Sequence, residues 1–136
     1  MVKLIYELDL NQIEDLTNLY QKEWWSKDRN LEDVKIMITK SDLILGLVED
    51  NKLVGFTRVL SDYIYKAIIF DVIIVEQLRN KGLGRLLMES IIHHPELTKT
   101  SHFELYCLPE MELYYQSFNF KTLAKEKDFY FMRFTR

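Results

Sequence analysis

Apolar residues recur at strand-like spacing in seven stretches of the chain, either alternating with polar residues or in short unbroken runs. These stretches are residues 2–8, 43–49, 53–60, 63–75, 102–107, 121–124 and 129–134. Asp50, Asn51 and Lys52 separate the second from the third, and such residues are typical of tight turns, so a hairpin is predicted there. The unbroken apolar run within 63–75 predicts a strand that is buried on both faces.

Four other segments carry apolar residues three and four positions apart, the spacing of a helix with one buried face. The predicted helices cover residues 11–25, 31–38, about 84 to 94, and 111–118. Asn11 and Glu14 resemble a capping box for the first helix, and Asn30 is a suitable N-cap for the second. Pro95 ends the third helix because a proline disfavours helical backbone in the residue before it.

The order of these elements is β-α-α-β-β-β-α-β-α-β-β, without an internal repeat or a linker. A chain of 136 residues has the usual size of one domain and buries roughly two thirds of the surface that its unfolded form exposes. This order favours one mixed sheet with helices on its faces. The predicted fold class is therefore α/β (α+β), in a single domain over residues 1–136.

Composition and charge narrow the range of partners. With 48% hydrophobic and 29% charged residues, the chain is typical of a soluble globular protein. A net charge of −3 argues against nucleic acid, which needs a basic surface. No run approaches the ~18 apolar residues of a membrane span, and the acidic N-terminal residues do not fit a secretory signal, so we expect a cytoplasmic protein without a membrane role. The single cysteine allows no internal disulfide, and the three histidines predict no metal site.

Two glycines and three basic residues occur together where the 63–75 strand leads into the third helix. Gly82 and Gly84 lack side chains that would keep a phosphate away, and the first turn of a helix presents N–H groups without intrahelical partners. Arg79, Lys81 and Arg85 add positive charge to that of the helix dipole, in a chain that is acidic overall. The segment is therefore predicted to bind a phosphate-bearing ligand. A dinucleotide fingerprint would need a third glycine and a P-loop would need Gly-Lys-Ser/Thr, so both are set aside.

The spacing from Arg79 to Gly84 resembles the motif Arg/Gln-x-x-Gly-x-Gly/Ala of the Gcn5-related N-acetyltransferase (GNAT) family. A second match lies near the end of the chain, where family members have Tyr-x-x-x-Gly-Phe and this sequence has Tyr115, Asn119 and Phe120. Asn replaces Gly at that position, and Asn tolerates left-handed backbone better than most residues. The order of elements is also similar over nearly the whole chain. The resemblance implies a mixed, mostly antiparallel central sheet with helices on both faces.

The resemblance also implies a co-substrate, acetyl-CoA, and the residues that bind it. In the family, backbone groups of the strand before the motif pair with the pantetheine arm, and backbone groups of the motif hold the pyrophosphate. The residues implied here are Val72, Ile73, Ile74, Arg79, Asn80, Lys81, Gly82, Leu83, Gly84 and Arg85.

Two residues are candidates for proton transfer. Tyr115 aligns with the tyrosine that often protonates the departing thiolate in the family, and the alternative is an aromatic residue of the core. Many relatives carry a glutamate base at the position that matches Tyr106. We therefore assign the base to Asp71, because an acid inside an apolar strand is costly unless it is paired or functional. Glu104, water and a purely structural, ion-paired Asp71 stay open as alternatives.

The predicted function is direct acetyl transfer from acetyl-CoA to a primary amine in a ternary complex. The small domain favours a small-molecule amine, and Asp71, Glu104 and the negative net charge favour a cationic one. Trp24 and Trp25 are candidates for the wall of its pocket. The alternatives are a protein N-terminal or lysine acetyltransferase and a non-catalytic acyl-CoA-binding module. The oligomeric state is left open, a homodimer included.

Overall fold

Seven strands and four helices form in the order that the sequence predicts, in a computed structural model that describes residues 1–136. The strands are β1 (Lys3–Ile5), β2 (Leu43–Glu49), β3 (Lys52–Ser61), β4 (Lys66–Ile74), β5 (His102–Cys107), β6 (Lys121–Lys125) and β7 (Tyr130–Thr135). The helices are α1 (Leu10–Gln21), α2 (Leu31–Lys40), α3 (Leu83–Ile92) and α4 (Glu112–Gln116). Short 3₁₀ turns cover Glu76–Leu78, Pro95–Leu97 and Pro109–Met111.

The strands form one sheet in the order β1-β2-β3-β4-β5-β7-β6. The pairs β1·β2, β5·β7 and β6·β7 are antiparallel, whereas β4 and β5 run parallel. Parallel neighbours need a crossover connection, and the segment between these two strands contains α3. The predicted mixed, mostly antiparallel sheet is therefore confirmed.

The start and the end predicted for α1 are both wrong. The capping box uses Asp9 and Gln12, two residues before the predicted pair: the Asp9 carboxylate accepts from the Gln12 N–H at 2.8 Å, and the Gln12 side chain accepts from the Asp9 N–H at 2.9 Å. Asp is as good an N-cap as Asn, so the sequence offered two registers, and burial of Leu16, Leu19 and Tyr20 fits either. The helix ends at Gln21, before the two tryptophans.

Two local predictions are confirmed in detail. Asn30 caps α2, since its side chain accepts from the Asp33 N–H at 2.9 Å. Asp50 and Asn51, with φ of 52° and 64°, form the two-residue turn between β2 and β3. Positive φ at both central residues is the requirement of a type I′ hairpin turn, and Asp and Asn tolerate it.

The chain divides into two compact units, each with buried apolar residues of its own. The first comprises Met1–Arg58 and Asp71–Leu87, and the second comprises Val59–Phe70 and Met88–Arg136. The core cluster of the first is Leu16, Leu19, Tyr20, Val34, Val48, Leu53, Phe56 and Ile73. Fully buried residues of the second include Met88, Ile91, Leu97, Phe103, Phe120 and Met132. None of the four helices has the length and the apolar character of a membrane span.

Candidate acetyl-CoA site

The last part of β4 is distorted at one residue, Asp71. The parallel ladder with β5 covers only Lys66 to Ile69 of β4. Asp71 has a φ of 58°, in the left-handed region that residues other than glycine rarely adopt. Such a conformation costs on the order of 1–3 kcal/mol and persists only where the surroundings hold it. The distortion directly precedes Val72, Ile73 and Ile74, the residues implied to bind the pantetheine arm.

Three side chains hold the Asp71 carboxylate. Its Oδ2 accepts hydrogen bonds from the Tyr20 hydroxyl, Arg29 Nη1 and Arg58 Nε, each at 2.8 Å. The Asp71 side chain is only 6% exposed. Although burial by itself raises the pKa of Asp71, the hydrogen bonds and charges of Arg29 and Arg58 outweigh burial and hold that pKa below its usual value. Asp71 is therefore a charged carboxylate at neutral pH, with three donors on Oδ2.

This geometry argues against Asp71 as the general base. A base must accept a proton from the substrate, and a carboxylate with a lowered pKa and three donors on one oxygen accepts it poorly. The runner-up, Glu104, is no better placed. It is 2% exposed, its Oε2 accepts from Arg133 Nε at 2.7 Å, and its Oε1 lies 3.4 Å from Lys66 Nζ. The expectation of a cationic acceptor assumed that these two carboxylates were available, and both are paired.

The loop from Arg79 to Gly82 carries the backbone that the glycine motif requires. Asn80 and Gly82 have φ of 65° and 81°. A Cβ on Gly82 would meet no atom within 4 Å, so backbone conformation, rather than crowding, calls for glycine there. The first turn of α3 follows at once, since the Leu86 N–H donates to the Gly82 carbonyl at 3.0 Å. The N–H groups before it have no partner in the helix and form, with the positive end of its dipole, a site for an anion.

A cleft of about 200 Å³ adjoins this loop and joins two groups of predicted binding residues. Its walls are the end of α1 and the chain that leaves β4: Leu19, Lys22, Glu23, Ile73, Ile74, Val75, Glu76, Gln77 and Arg79. Arg79 donates from Nε to the Ile74 carbonyl and from Nη2 to Glu23 Oε1, both at 2.9 Å. The structure thus brings the segment implied to bind the pantetheine arm and the first residue of the motif to one cleft, with the Arg79 cation paired with the Glu23 carboxylate.

Tyr115, the candidate acid, lies on α4 in the second unit and is 7% exposed. Its ring contacts those of Tyr114, Phe118 and Phe120, with centroids 5.1, 6.5 and 6.2 Å away. Burial raises the pKa of its phenol above the ordinary value, so the hydroxyl keeps its proton through neutral and moderately alkaline pH. Asn119 has a φ of 70°, the left-handed conformation that its place in the motif requires. These contacts fit both a proton donor and a core residue.

Two tryptophans and the single cysteine contribute less to the chemistry of the site. Trp24 is 69% exposed, while Trp25 is 39% exposed and packs edge-on against Tyr20 at 6.2 Å. Cys107 is buried beside Met132, 3.6 Å between sulfurs. Burial, aided by the charge of Glu112, raises the pKa of the Cys107 thiol to about 11, which makes it a poor nucleophile at neutral pH.

Sequence reasoning missed Tyr20, Arg29 and Arg58 as members of the site. An acid in an apolar strand signals that partners exist, but it does not identify them. The partners lie 51, 42 and 13 residues from Asp71 along the chain, so only the packing of α1 and the neighbouring strands brings them together.

Comparison with known proteins points in the same direction as the geometry. The sequence model of the acetyltransferase (GNAT) domain matches residues 10–136. An uncharacterized N-acetyltransferase, ycf52, of Porphyra purpurea is 33% identical over an alignment of 113 residues that covers 76% of this chain and 64% of that protein. The chain spans just under two thirds of the length of the curated relatives that it matches first.

Two solved structures share the fold at low identity. An acyl-CoA N-acyltransferase from Pseudomonas aeruginosa has a TM-score of 0.79 and 19% identity, covering 98% of this chain and 99% of that one. The PaiA N-acetyltransferase from Thermoplasma acidophilum, solved in complex with coenzyme A, has a TM-score of 0.74 and 14% identity, covering 100% of this chain and 99% of that one. At these identities the likeness concerns the fold.

Proposed function

Because the chain belongs to the GNAT acetyltransferase family, we propose that it transfers the acetyl group of acetyl-CoA to a primary amine carried by a small molecule. The observation that carries the proposal is the glycine loop before α3. Gly82 is left-handed, its surroundings are open, and three cations lie within one short segment. A pyrophosphate needs such a cradle of backbone N–H groups and positive charge.

Binding is divided between two stretches of the first unit. Backbone groups of Val72, Ile73 and Ile74 hold the pantetheine arm, beside the cleft that Ile73 and Ile74 line. The loop from Arg79 and the first turn of α3 hold the pyrophosphate; the residues concerned are Arg79, Asn80, Lys81, Gly82, Leu83, Gly84 and Arg85. A backbone contact does not involve the side chain, so the backbone of Ile73 can bind the pantetheine arm while its side chain is buried in the core.

The chemistry is a direct transfer in a ternary complex. Acetyl-CoA, when bound, supplies an acetyl group as a thioester. A nitrogen–carbon bond forms to the amine and the carbon–sulfur bond breaks, the amine loses one proton and the departing sulfur gains one. Tyr115 supplies the proton for sulfur, and its raised pKa keeps it protonated for this role. Water takes the proton of the amine, because Asp71 and Glu104 are both held by arginines.

Acetyl transfer and a small-molecule acceptor are not equally well supported. The relatives' names and the family support acetyl transfer, whereas the small-molecule acceptor remains an expectation from the sequence. Two departures from the family favour the non-catalytic alternative: Tyr106 in place of a glutamate and Asn119 in place of glycine. The second carries little weight, since Asn119 adopts the left-handed backbone that glycine would supply.

Release of free thiol from acetyl-CoA, measured with a panel of primary amines, tests the proposal. We expect release that depends on both the amine and acetyl-CoA, together with an acetylated amine detected by mass spectrometry. Acetyl-CoA binding without release with any amine would support the non-catalytic module instead.

A further inference from the structure

Arg29, in the segment that joins α1 and α2, contacts two aromatic rings that also pack against each other. The centre of its guanidinium is 4.5 Å from the centroid of the Tyr20 ring and 5.5 Å from that of Trp25. Its Nη1 donates to Asp71 Oδ2 at 2.8 Å. Cation–π contacts on two rings and one ion pair fix the orientation of the group before any ligand arrives.

The charge around Arg29 is only partly balanced. Asp71 is its ion-pair partner, and Asp71 also serves Arg58 and the Tyr20 hydroxyl. The Arg29 side chain is 31% exposed, whereas that of Asp71 is 6% exposed. Solvent therefore meets the cation, while the carboxylate is covered. A ligand that approaches the Arg29 guanidinium therefore encounters its positive charge.

The donors of Arg29 are also unevenly used. Its hydrogen bond to Asp71 and its contact with the Met37 sulfur at 3.8 Å both come from Nη1. Neither of these two contacts uses the edge formed by Nε and Nη2. Two parallel N–H groups on such an edge match the two oxygens of a carboxylate. Asp71 is joined directly to Val72, so Arg29 lies beside the start of the segment proposed to bind the pantetheine arm.

We propose that Arg29 recognises a carboxylate on the acceptor, so that the preferred substrates are amines of the amino-acid class. The inference rests on the proposed function and narrows its substrate class. Trp25 and Tyr20 keep the guanidinium in place, and the Nε–Nη2 edge binds the carboxylate while the amine of the same molecule is acetylated. This replaces the cationic acceptor that the sequence predicts.

Matched acceptor pairs test the inference on the wild-type protein. Each pair is an amino acid and its carboxamide, and kcat/KM is expressed per concentration of neutral amine so that the different basicities cancel. A charge-assisted, bidentate hydrogen bond predicts at least about tenfold higher kcat/KM for the carboxylate member. Equal values within a pair would overturn the inference while acetyl transfer itself stands. No thiol release with any amine would overturn the proposed function and the inference with it.

Three variants test whether the preference for the carboxylate member of each pair depends on Arg29. Arg29→Gln should reduce it to less than about threefold, and Arg29→Lys, which keeps the charge and a partner for Asp71 without the fork, should leave an intermediate preference. Lys27→Gln removes the same charge from an exposed residue of the same segment and should leave the preference unchanged. Acetyl-CoA affinity near the wild-type value shows that each variant is folded. A full preference in folded Arg29→Gln or Arg29→Lys would overturn the role of Arg29.

Discussion

At the scale of single residues, Asp71 combines an unfavourable backbone with a favourable side chain. Its left-handed φ of 58° is costly inside a strand, and its carboxylate is buried. Two guanidinium groups and one hydroxyl compensate both costs, since each hydrogen bond also fixes the position of the residue. Asp71 therefore stabilises the fold at the point where β4 is proposed to bind acetyl-CoA through its backbone, and it does so through its charge.

Asp71→Asn should lower the free energy of unfolding by on the order of 3 kcal/mol at pH 7, because it leaves two arginines without their carboxylate. Asn keeps the size and the tolerance of left-handed backbone. The folded-state pKa of Asp71 is lowered, so its contribution is complete above its unfolded pKa near about 3.9 and is lost as pH falls through the folded pKa. Denaturant unfolding at several pH values measures the difference between the two proteins. It should be constant from pH 7 to about 5 and shrink below about 4. A difference that persists unchanged in acid would contradict the assignment.

Tyr115→Phe keeps the ring in its aromatic cluster and removes only the proton donor. If Tyr115 protonates the departing sulfur, kcat should fall by about 10² to 10⁴ while acetyl-CoA affinity stays the same. Because burial raises the pKa of the phenol, the wild-type kcat should show no loss of the acid form up to about pH 10. Steady-state kinetics at a saturating amine decides between the roles. A core residue predicts lower stability and a kcat within a few-fold of wild type.

At the scale of elements, an ion pair joins the end of α1 to the loop from Arg79 to Gly82, and it opposes the binding of an anionic ligand. Arg79 is one of the cations proposed to meet the pyrophosphate, yet its Nη2 is paired with Glu23 just beyond the end of α1. Arg79 also donates from Nε to the Ile74 carbonyl, and the ion pair and this hydrogen bond together order the loop. The ion pair also places a carboxylate in the wall of the cleft, where it opposes an anionic ligand.

Glu23→Gln should therefore strengthen acetyl-CoA binding, because the charge opposing the phosphates is gone and Arg79 is released. Exposed ion pairs are worth up to about 1 kcal/mol, so the expected gain in affinity is about two- to fivefold, larger at low salt. Calorimetric titration at two salt concentrations measures it. Glu32→Gln, the same change at an exposed residue paired with Lys35, is the control and should have no effect. Weaker binding by Glu23→Gln would mean that the ordering role of the pair dominates.

At the scale of the whole molecule, local signals were predictable and long-range contacts were not. The hairpin turn at Asp50 and Asn51 and the cap at Asn30 depend on neighbours in sequence, and both are confirmed. The capping box of α1 was misplaced because two registers satisfied the same local rule. The glycine motif could be recognised in the sequence because a left-handed turn before a helix restricts the residue types that can form it. The hydrogen-bond partners of Asp71 could not be predicted from the sequence, since they come together only when α1 and the strands pack.

The measurement that tests the site most directly is calorimetric titration of acetyl-CoA into wild-type protein, Gly82→Ala and Gly82→Glu. Both variants strain the same left-handed backbone, and a Cβ meets no atom within 4 Å, so they differ in the longer side chain of Glu and the carboxylate that it carries. The wild-type protein should bind one acetyl-CoA per chain, Gly82→Ala should bind it somewhat more weakly, and Gly82→Glu should lose at least about tenfold more, because its charge occupies the phosphate cradle. No binding by the wild-type protein, or equal affinity in the two folded variants, would contradict an acetyl-CoA site at this loop.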